Sequence, residues 1–292
     1  MNEINNFDTE GAIFMGAFRD YENCNIVIYG VPYDGTTSFR AGSRFGPSSI
    51  REVSNGIETY CPEFDKDLAE IKYADLGSLI IPYGSPEPVI NLVEKTSINL
   101  ISKNIKPLIL GGEHSISIGA VKAAYNYYSD LILIQLDAHA DLRNDWLGSK
   151  NNHACTMRRC LEVMPNNEFF QIGIRSGTKK EFQELRQTKR LITFDSNKSV
   201  ASFAKMLSLY KGKPIYLTID LDWFDPSVLP GTGTPEPGGF FWQDFMKIMN
   251  ILKDHQVIAA DIVELAPQLD HSGISSILAA KVARSLLMIL DN

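Results

Sequence analysis

Residues 137–141 read Asp-Ala-His-Ala-Asp and follow directly on the apolar run LILIQL at 131–136. Side chains two apart share one face of a strand. If the extended backbone persists, Asp137, His139 and Asp141 therefore converge on one place. Two carboxylates about 5 Å apart at an effective dielectric of ~20 repel by roughly 3 kcal/mol, so the pattern calls for positive charge between them. The same conjunction recurs at three other apolar runs. Glu113 and His114 follow KPLIL (106–110), Asp220 and Asp222 follow IYLTI (215–219) with Asp225 just beyond, and Glu264 follows IAADIV (258–263). A lone strand-end Asp is ordinarily a helix cap, and a single His or a D-x-D pair is ordinarily structural. Four such ends in a chain with five histidines point instead to a metal site. His114, Asp137, His139, Asp141, Asp220 and Asp222 are too many ligands for one tetrahedral zinc. A carboxylate-rich, nitrogen-poor set suits harder divalent ions such as Mn²⁺. Two ions about 3.5–4 Å apart, sharing Asp137, neutralise the cluster and activate a water. The chemistry expected is hydrolysis.

The elements that must position these residues are short apolar runs alternating with amphipathic ones. Strands are expected at 25–31, 71–76, 106–110, 131–136, 169–174, 190–194, 214–221 and 256–265. Helices are expected at 47–57, 88–103, 116–129, 154–163, 179–187, 199–210, 241–254 and 274–290. Near-continuous apolar strands separated by helices indicate a parallel sheet covered on both faces, hence an α/β protein. Strand count alone leaves an open sheet and a closed barrel both available. In either, ligands bind at the carboxyl ends of the strands, where the candidate residues fall. With no linker, low-complexity tract or internal repeat, 1–292 reads as a single domain.

The 292 residues are 44% hydrophobic and 22% charged, a soluble globular composition. A net charge of −7 without any dense Lys/Arg run argues against nucleic acid or an anionic membrane as partner and is compatible with a cationic substrate. No apolar run is long enough to span a membrane and the N-terminus lacks a basic region before an apolar one, so a cytoplasmic protein is expected. GAIFMGAF (11–18) is either part of an N-terminal interface arm within 1–24 or a segment packed on its own subunit. Cys24, Cys61, Cys155 and Cys160 contain no C-x-x-C pair and read as free thiols. Cys155 lies close to His153, but a Cys/His nucleophile is disfavoured because 154–163 reads as an amphipathic helix with its cysteines as small filler.

GGEHS (111–115), DAHAD (137–141), TIDLDWFDPSVLPGTGTPEPGG (218–239) and VELAP (263–267) resemble the ureohydrolase family, which includes arginase, agmatinase, guanidinobutyrase and formiminoglutamase. The resemblance runs from about residue 30 to the last helix, most like bacterial agmatinases. It implies a three-layer α/β/α fold with a mainly parallel eight-stranded sheet, a binuclear manganese centre, and a homotrimer or homohexamer. It further implies His114 and Asp141 on the first Mn²⁺, His139 and Asp222 on the second, and Asp137 and Asp220 as bridges. Asp141 is then also the proton acceptor, Glu264 the guanidinium-binding carboxylate, and His153 of NNHACTM a substrate-loop proton shuttle. Asp225 is expected to brace the GTGTPEPGG loop. Glu113 stands where the family commonly has Asp, and Trp223, where smaller residues are frequent, is expected to narrow the pocket. The 142–157 loop lacks the S-G-N-x-H-G-M pattern by which arginases meet the α-carboxylate and amino group of arginine. The implied reaction is hydrolysis of agmatine to putrescine and urea, with guanidinobutyrase, arginase or formiminoglutamase activity as alternatives. Guanidinobutyrate is disfavoured unless Arg143, Lys150 or Arg158 turns into the pocket. A single-zinc deacetylase does not need the full ligand set. A non-catalytic metal protein does not need Asp141, His153 and Glu264 together.

Overall fold

The computed structural model describes residues 7–188, 191–192 and 196–292. Its strands are β1 (Phe7–Asp8), β2 (Ile26–Val31), β3 (Tyr60–Cys61), β4 (Lys66–Asp67), β5 (Tyr73–Leu79), β6 (Lys106–Gly111), β7 (Ile132–Leu136), β8 (Phe169–Ile172), β9 (Leu191–Ile192), β10 (Pro214–Asp220) and β11 (Gln256–Val263). Its helices are α1 (Gly46–Ser54), α2 (Pro86–Ile101), α3 (Ser117–Tyr127), α4 (Thr156–Val163), α5 (Lys179–Thr188), α6 (Ser196–Leu207), α7 (Trp242–Leu252) and α8 (Ile274–Leu290). Every expected strand and helix is present; residues 190, 193 and 194 of the expected sixth strand lie outside the described residues. Alternating side chains divide the apolar residues between two cores. Ile26 and Ile28 of β2 join the core under α1, α6, α7 and α8, while Val27, Tyr29 and Val31 join the one under α2, α3, α4 and α5. The result is a three-layer α/β/α arrangement.

The sheet runs β1-β5-β2-β6-β11-β10-β7-β8-β9. The eight strands after β1 pair in parallel, and β1 adds a short antiparallel edge. That edge strand and the β3–β4 pair escape sequence periodicity because two residues carry no alternation. The order matters for function. β6 and β7 are consecutive in the chain but are separated in space by β11 and β10. The four strands that end in candidate site residues are thereby made contiguous, in the middle of the sheet.

The close approach at GGEHS explains its second glycine. A Cβ on Gly112 would lie 1.9 Å from the Tyr33 carbonyl oxygen, so only glycine lets the 33–38 loop reach the end of β6. Along the N-terminal stretch, Phe14 and Met15 are buried in this chain's own core and Phe18 forms a parallel bridge to Ala74. The Phe14 N–H donates to Asp75 Oδ2 at 2.8 Å, the same carboxylate that the buried Arg51 grips through Nε and Nη2. Among the described residues no helix is long and apolar enough to cross a membrane. Phe14→Ala removes a fully buried ring, so we expect a loss of about 3–5 kcal/mol in denaturant unfolding with no change in assembly mass by light scattering. A change of mass with little loss of stability is the outcome expected of an interface arm.

Candidate functional site

His114 opens the short 3₁₀ turn after β6, Asp137 follows β7, Asp220 closes β10, Asp222 sits in the turn 221–223, and Glu264 follows β11. All are buried at the carboxyl edge of the sheet. Ligand atoms of His114, Asp137 and Asp141 lie within 4.8 Å of one another, as do those of Asp137, His139 and Asp222. Asp137 belongs to both groups. Its Oδ2 lies 3.2 Å from His114 Nδ1 and its Oδ1 3.7 Å from His139 Nδ1. Asp141 Oδ2 and Asp220 Oδ2 stand 3.0 and 3.5 Å from His114 Nδ1, and Asp222 Oδ2 stands 2.8 Å from His139 Nδ1.

This density of charge has an electrostatic consequence. Burial, then repulsion from Asp141 and Asp222, pushes Asp137 up to about 7. Burial followed by Asp222 and Asp137 carries Asp220 well above the carboxylate range. Burial opposes charge on His139, yet Asp222 and Asp137 outweigh it and push the imidazole up to about 10. Such a cluster is held together either by protons or by a metal cation. The donor set fits a cation: His114 Nδ1 is buried without any well-formed hydrogen bond although three carboxylate oxygens surround it. Buried carboxylates without Lys or Arg partners are costly unless something positive is shared between them.

The DAHAD segment reaches this geometry by a different route from the one its alternation predicts. β7 ends at Leu136, before the motif. The chain bends at Ala138, His139 forms a parallel bridge to Ser176 through the backbone of Ala138 and Ala140, and Asp141 then turns into the site at φ 53. Glu264 enters likewise at φ 66. Left-handed backbone at a non-glycine residue is uncommon and concentrates at functional sites.

The Arginase family profile matches residues 24–289. The chain belongs to the arginase family. It is 36% identical over 280 residues to the agmatinase of Bacillus subtilis, covering 95% of this chain and 96% of that protein. A Thermococcus kodakarensis relative named N(1)-aminopropylagmatine ureohydrolase is 38% identical over 248 residues, 84% of each chain. The crystal structure of agmatine ureohydrolase of Thermoplasma volcanium superposes with a TM-score of 0.83 at 33% identity, covering 93% of this chain and 91% of that one. Like its arginase-family relatives, the protein is a hydrolase acting on guanidino C–N bonds.

In this arginase-family chain the carboxylate cluster floors a cavity of about 280 Å³. Glu264 lines it, with Oε1 accepting the His114 N–H at 2.9 Å; burial and then the nearby Glu113 raise its carboxyl well above the ordinary range. His153 lines the opposite wall, its Nε2 3.0 Å from Ser38 Oγ and its Nδ1 without a hydrogen bond. Burial lowers its basicity, so the ring is neutral near pH 7. Glu113 does not disturb the cluster. Its longer arm reaches Thr36, whose hydroxyl lies 2.6 and 2.7 Å from the two oxygens, and Thr36 Oγ1 accepts the His153 N–H at 3.2 Å. At the mouth, Arg143 Cζ sits 3.8 Å over the Trp146 ring, and both line the cavity. Arg158 is turned away onto Glu184 and the Leu142 carbonyl, and Lys150 is exposed outside the cavity.

Trp223 is a correction. It is fully buried, stacked on Phe240 with centroids 4.1 Å apart, and does not line the cavity. The turn that aims Asp222 at the site aims its neighbour into the core. Asp225 braces the 231–239 loop by accepting the N–H groups of Gly238 and Gly239 at 3.0 Å each.

Sequence reading missed the supports. Gln135 Nε2 donates to Asp137 Oδ2 at 2.6 Å, and Gln171 Nε2 to Gln135 Oε1 at 2.6 Å. Arg175 donates to the carbonyls of Asp222 and Glu236, both at 2.8 Å. For Gln135 and Gln171 the overlooked signal was a single polar residue inside an otherwise apolar strand. All four cysteines are free and buried. Burial pushes the Cys155 thiol up to about 11, opposite to an activated nucleophile. Cys155→Ala is accordingly expected to keep kcat within about twofold. A loss of about 100-fold, some 2.7 kcal/mol in barrier, with native circular dichroism is instead the signature of cysteine chemistry.

Proposed function

We propose that the protein, acting in the cytoplasm as a single-domain homotrimer or homohexamer, hydrolyses agmatine to putrescine and urea with two Mn²⁺ ions. His114 and Asp141 would hold one ion and His139 and Asp222 the other, with Asp137 and Asp220 as carboxylates shared between the two groups. The observation that carries this reading is Asp137 placed between two ligand groups, with Glu264 on the same cavity. A pair of divalent ions at such a site supplies charge neutralisation and water activation.

The chain's own residues do the rest. The second oxygen of Glu264 is free of the His114 N–H and accepts from the planar guanidinium, a charge-assisted bond that orients the carbon to be attacked. Asp141 takes a proton from the attacking water and returns it to the leaving amine. His153, whose ring lines the cavity, passes to solvent a different proton, the one released when the next water is activated for attack. Glu181 is buried, lines the cavity and has its oxygens on the N–H groups of Leu142 and Thr178, so it offers the far ammonium an anionic wall. A second reading is favoured by one observation: Arg143, which lines the mouth, suits a guanidino compound with a carboxylate tail, such as 4-guanidinobutyrate.

Two sets of measurements test these roles. Asp137→Ala and Asp220→Ala should lose Mn²⁺ by elemental analysis as well as activity. Glu264→Gln should keep about two metals per chain, as a two-metal site requires, and lose turnover; loss of metal from it would place Glu264 in the wrong shell. His153→Asn should keep metal, reduce kcat and abolish an acid limb lying below the ordinary imidazole value of 6.5. Full activity after exhaustive chelation would refute the metal mechanism outright.

For the substrate, agmatine should exceed arginine in kcat/KM by at least ~100-fold, about 2.7 kcal/mol, because arginine's α-carboxylate is repelled by the buried Glu181 carboxylate and the 142–157 loop lacks the S-G-N-x-H-G-M pattern. Arg143→Ala removes a like charge worth about 0.5–1 kcal/mol in a solvated setting. It should raise kcat/KM for agmatine about two- to fivefold and lower it for 4-guanidinobutyrate. Guanidinobutyrate ahead of agmatine in the unaltered enzyme decides for the second reading.

A further inference from the structure

Beneath the candidate ligands a row of polar side chains crosses the centre of the sheet. Gln171 of β8 stands opposite Gln135 of β7, Gln135 opposite Thr218 of β10, and Thr218 opposite Asp261 of β11. All four are fully buried. Gln171 and Gln135 lead to Asp137, as described above. Thr218 and Asp261 lead to His114. Thr218 Oγ1 donates to Asp261 Oδ1 at 2.6 Å, the Tyr216 hydroxyl donates to Asp261 Oδ2 at 2.6 Å, and His114 Nε2 lies 2.9 Å from Thr218 Oγ1.

We propose that Asp261, acting through Thr218, is the positioning residue that commits His114 Nε2 as a hydrogen-bond donor and leaves Nδ1 for the metal. The argument is a count of hydrogens. A threonine hydroxyl has one hydrogen and two lone pairs. Asp261, buried and bonded to no Lys or Arg among the described residues, takes that hydrogen. Thr218 then has only lone pairs to offer His114, so Nε2 must carry the N–H. A neutral imidazole protonated at Nε2 has its lone pair at Nδ1, the atom that faces Asp137, Asp141 and Asp220 and has no well-formed hydrogen bond. A lone pair aimed at three carboxylates is repelled by all of them until a cation stands between. The relay therefore selects the ring state that binds metal and fixes the ring's orientation. A second partner of this kind on a metal-binding histidine contributes about 10–100-fold to metal affinity.

The inference rests on the metal reading above but not on the choice of substrate, and its test reads metal and protons rather than turnover. Demetallated protein is titrated with Mn²⁺, free ion being followed by electron paramagnetic resonance. Thr218→Val keeps the side-chain shape and removes the relay; it should weaken the tighter site about 10–100-fold. Thr218→Ser restores the hydroxyl and should return affinity to within about threefold. Asp261→Asn should fall between them, because its amide oxygen still accepts from Thr218 while the charge is lost. In the unaltered protein loaded with diamagnetic Cd²⁺, long-range ¹H–¹⁵N correlation should show His114 protonated at Nε2 and coordinated at Nδ1. The reverse assignment overturns the proposal whether or not any variant folds. So does folded Thr218→Val that binds Mn²⁺ as tightly as the unaltered chain. Failure of the unaltered chain to bind Mn²⁺ at all overturns the metal reading and this inference with it. Tight binding indifferent to Thr218 overturns this inference alone.

Discussion

Four aspartates and one glutamate are buried around two histidines at the centre of the sheet edge, and among the described residues no Lys or Arg pairs with any of them. That imbalance is the constraint on which the rest of the structure depends. Burial, and after it the mutual repulsion of the set, displaces Asp137 and Asp220 toward their protonated forms. Divalent ions remove the conflict in one step, because each presents to every neighbour a charge that a proton presents to only one. Ions bound by the folded chain and not by the unfolded one would add their binding free energy to the stability of the fold. The same imbalance biases the cavity above it toward cationic ligands.

Holding like charges together requires scaffolding that does not yield, and the sheet provides it in two tiers. The lower tier is the buried polar row: its members are hydrogen-bonded in two pairs, and Gln135 and Thr218 pass that order up to Asp137 and His114. The upper tier is backbone. Arg175 uses its guanidinium as a staple between the Asp222 turn and the Glu236 loop, and Asp225 holds the same loop through the adjacent Gly238 and Gly239. Within this frame Asp141 and Glu264 are held in left-handed conformations that an isolated residue avoids, at about 1–3 kcal/mol each. The loops are thus rigid for an electrostatic reason: a ligand free to swing would relax away from its anionic neighbours and the site would open.

This division of labour determines how much was legible in the sequence. A strand buried on both faces is written as an apolar run, so all eight parallel strands could be located, and residues that break the run at its carboxyl end stood out as His114, Asp137, Asp220 and Glu264. The order of strands could not be read, because insertion of β10 and β11 between β6 and β7 is decided by helix packing on both faces rather than by any local pattern. The expectation that DAHAD continues the strand erred for a related reason: alternation records which residues converge, and a bulged loop with one left-handed residue converges them as well as a pleat does. Trp223 was misjudged because the three-residue turn 221–223 carries no periodicity to say which way its last residue points. Gln135, Gln171, Thr218 and Asp261 were visible as polar interruptions, but their meaning depends on register across four strands, which only the assembled sheet supplies.

The floor of the cavity and its mouth answer different questions. Glu264 and the buried cluster give the floor an excess of carboxylates, and a guanidinium delivers directed, planar N–H groups to such a surface where an ammonium delivers a point charge. Nothing on the floor measures what lies at the other end of the substrate. That reading falls to the 142–157 segment, where Arg143 is stacked on Trp146, and to Glu181 on the adjoining wall. Their charges are opposite, so an ammonium tail is drawn to one and repelled by the other. At the part-exposed Arg143 the term is about 1 kcal/mol or less, a few-fold in rate, whereas a misplaced guanidinium at the floor puts the reacting carbon out of reach. Such a site fixes the reaction firmly and the substrate weakly. A change of preference among guanidino compounds then requires only residues of the mouth to change, with the ligand-bearing strand ends and the polar row beneath them left as they are.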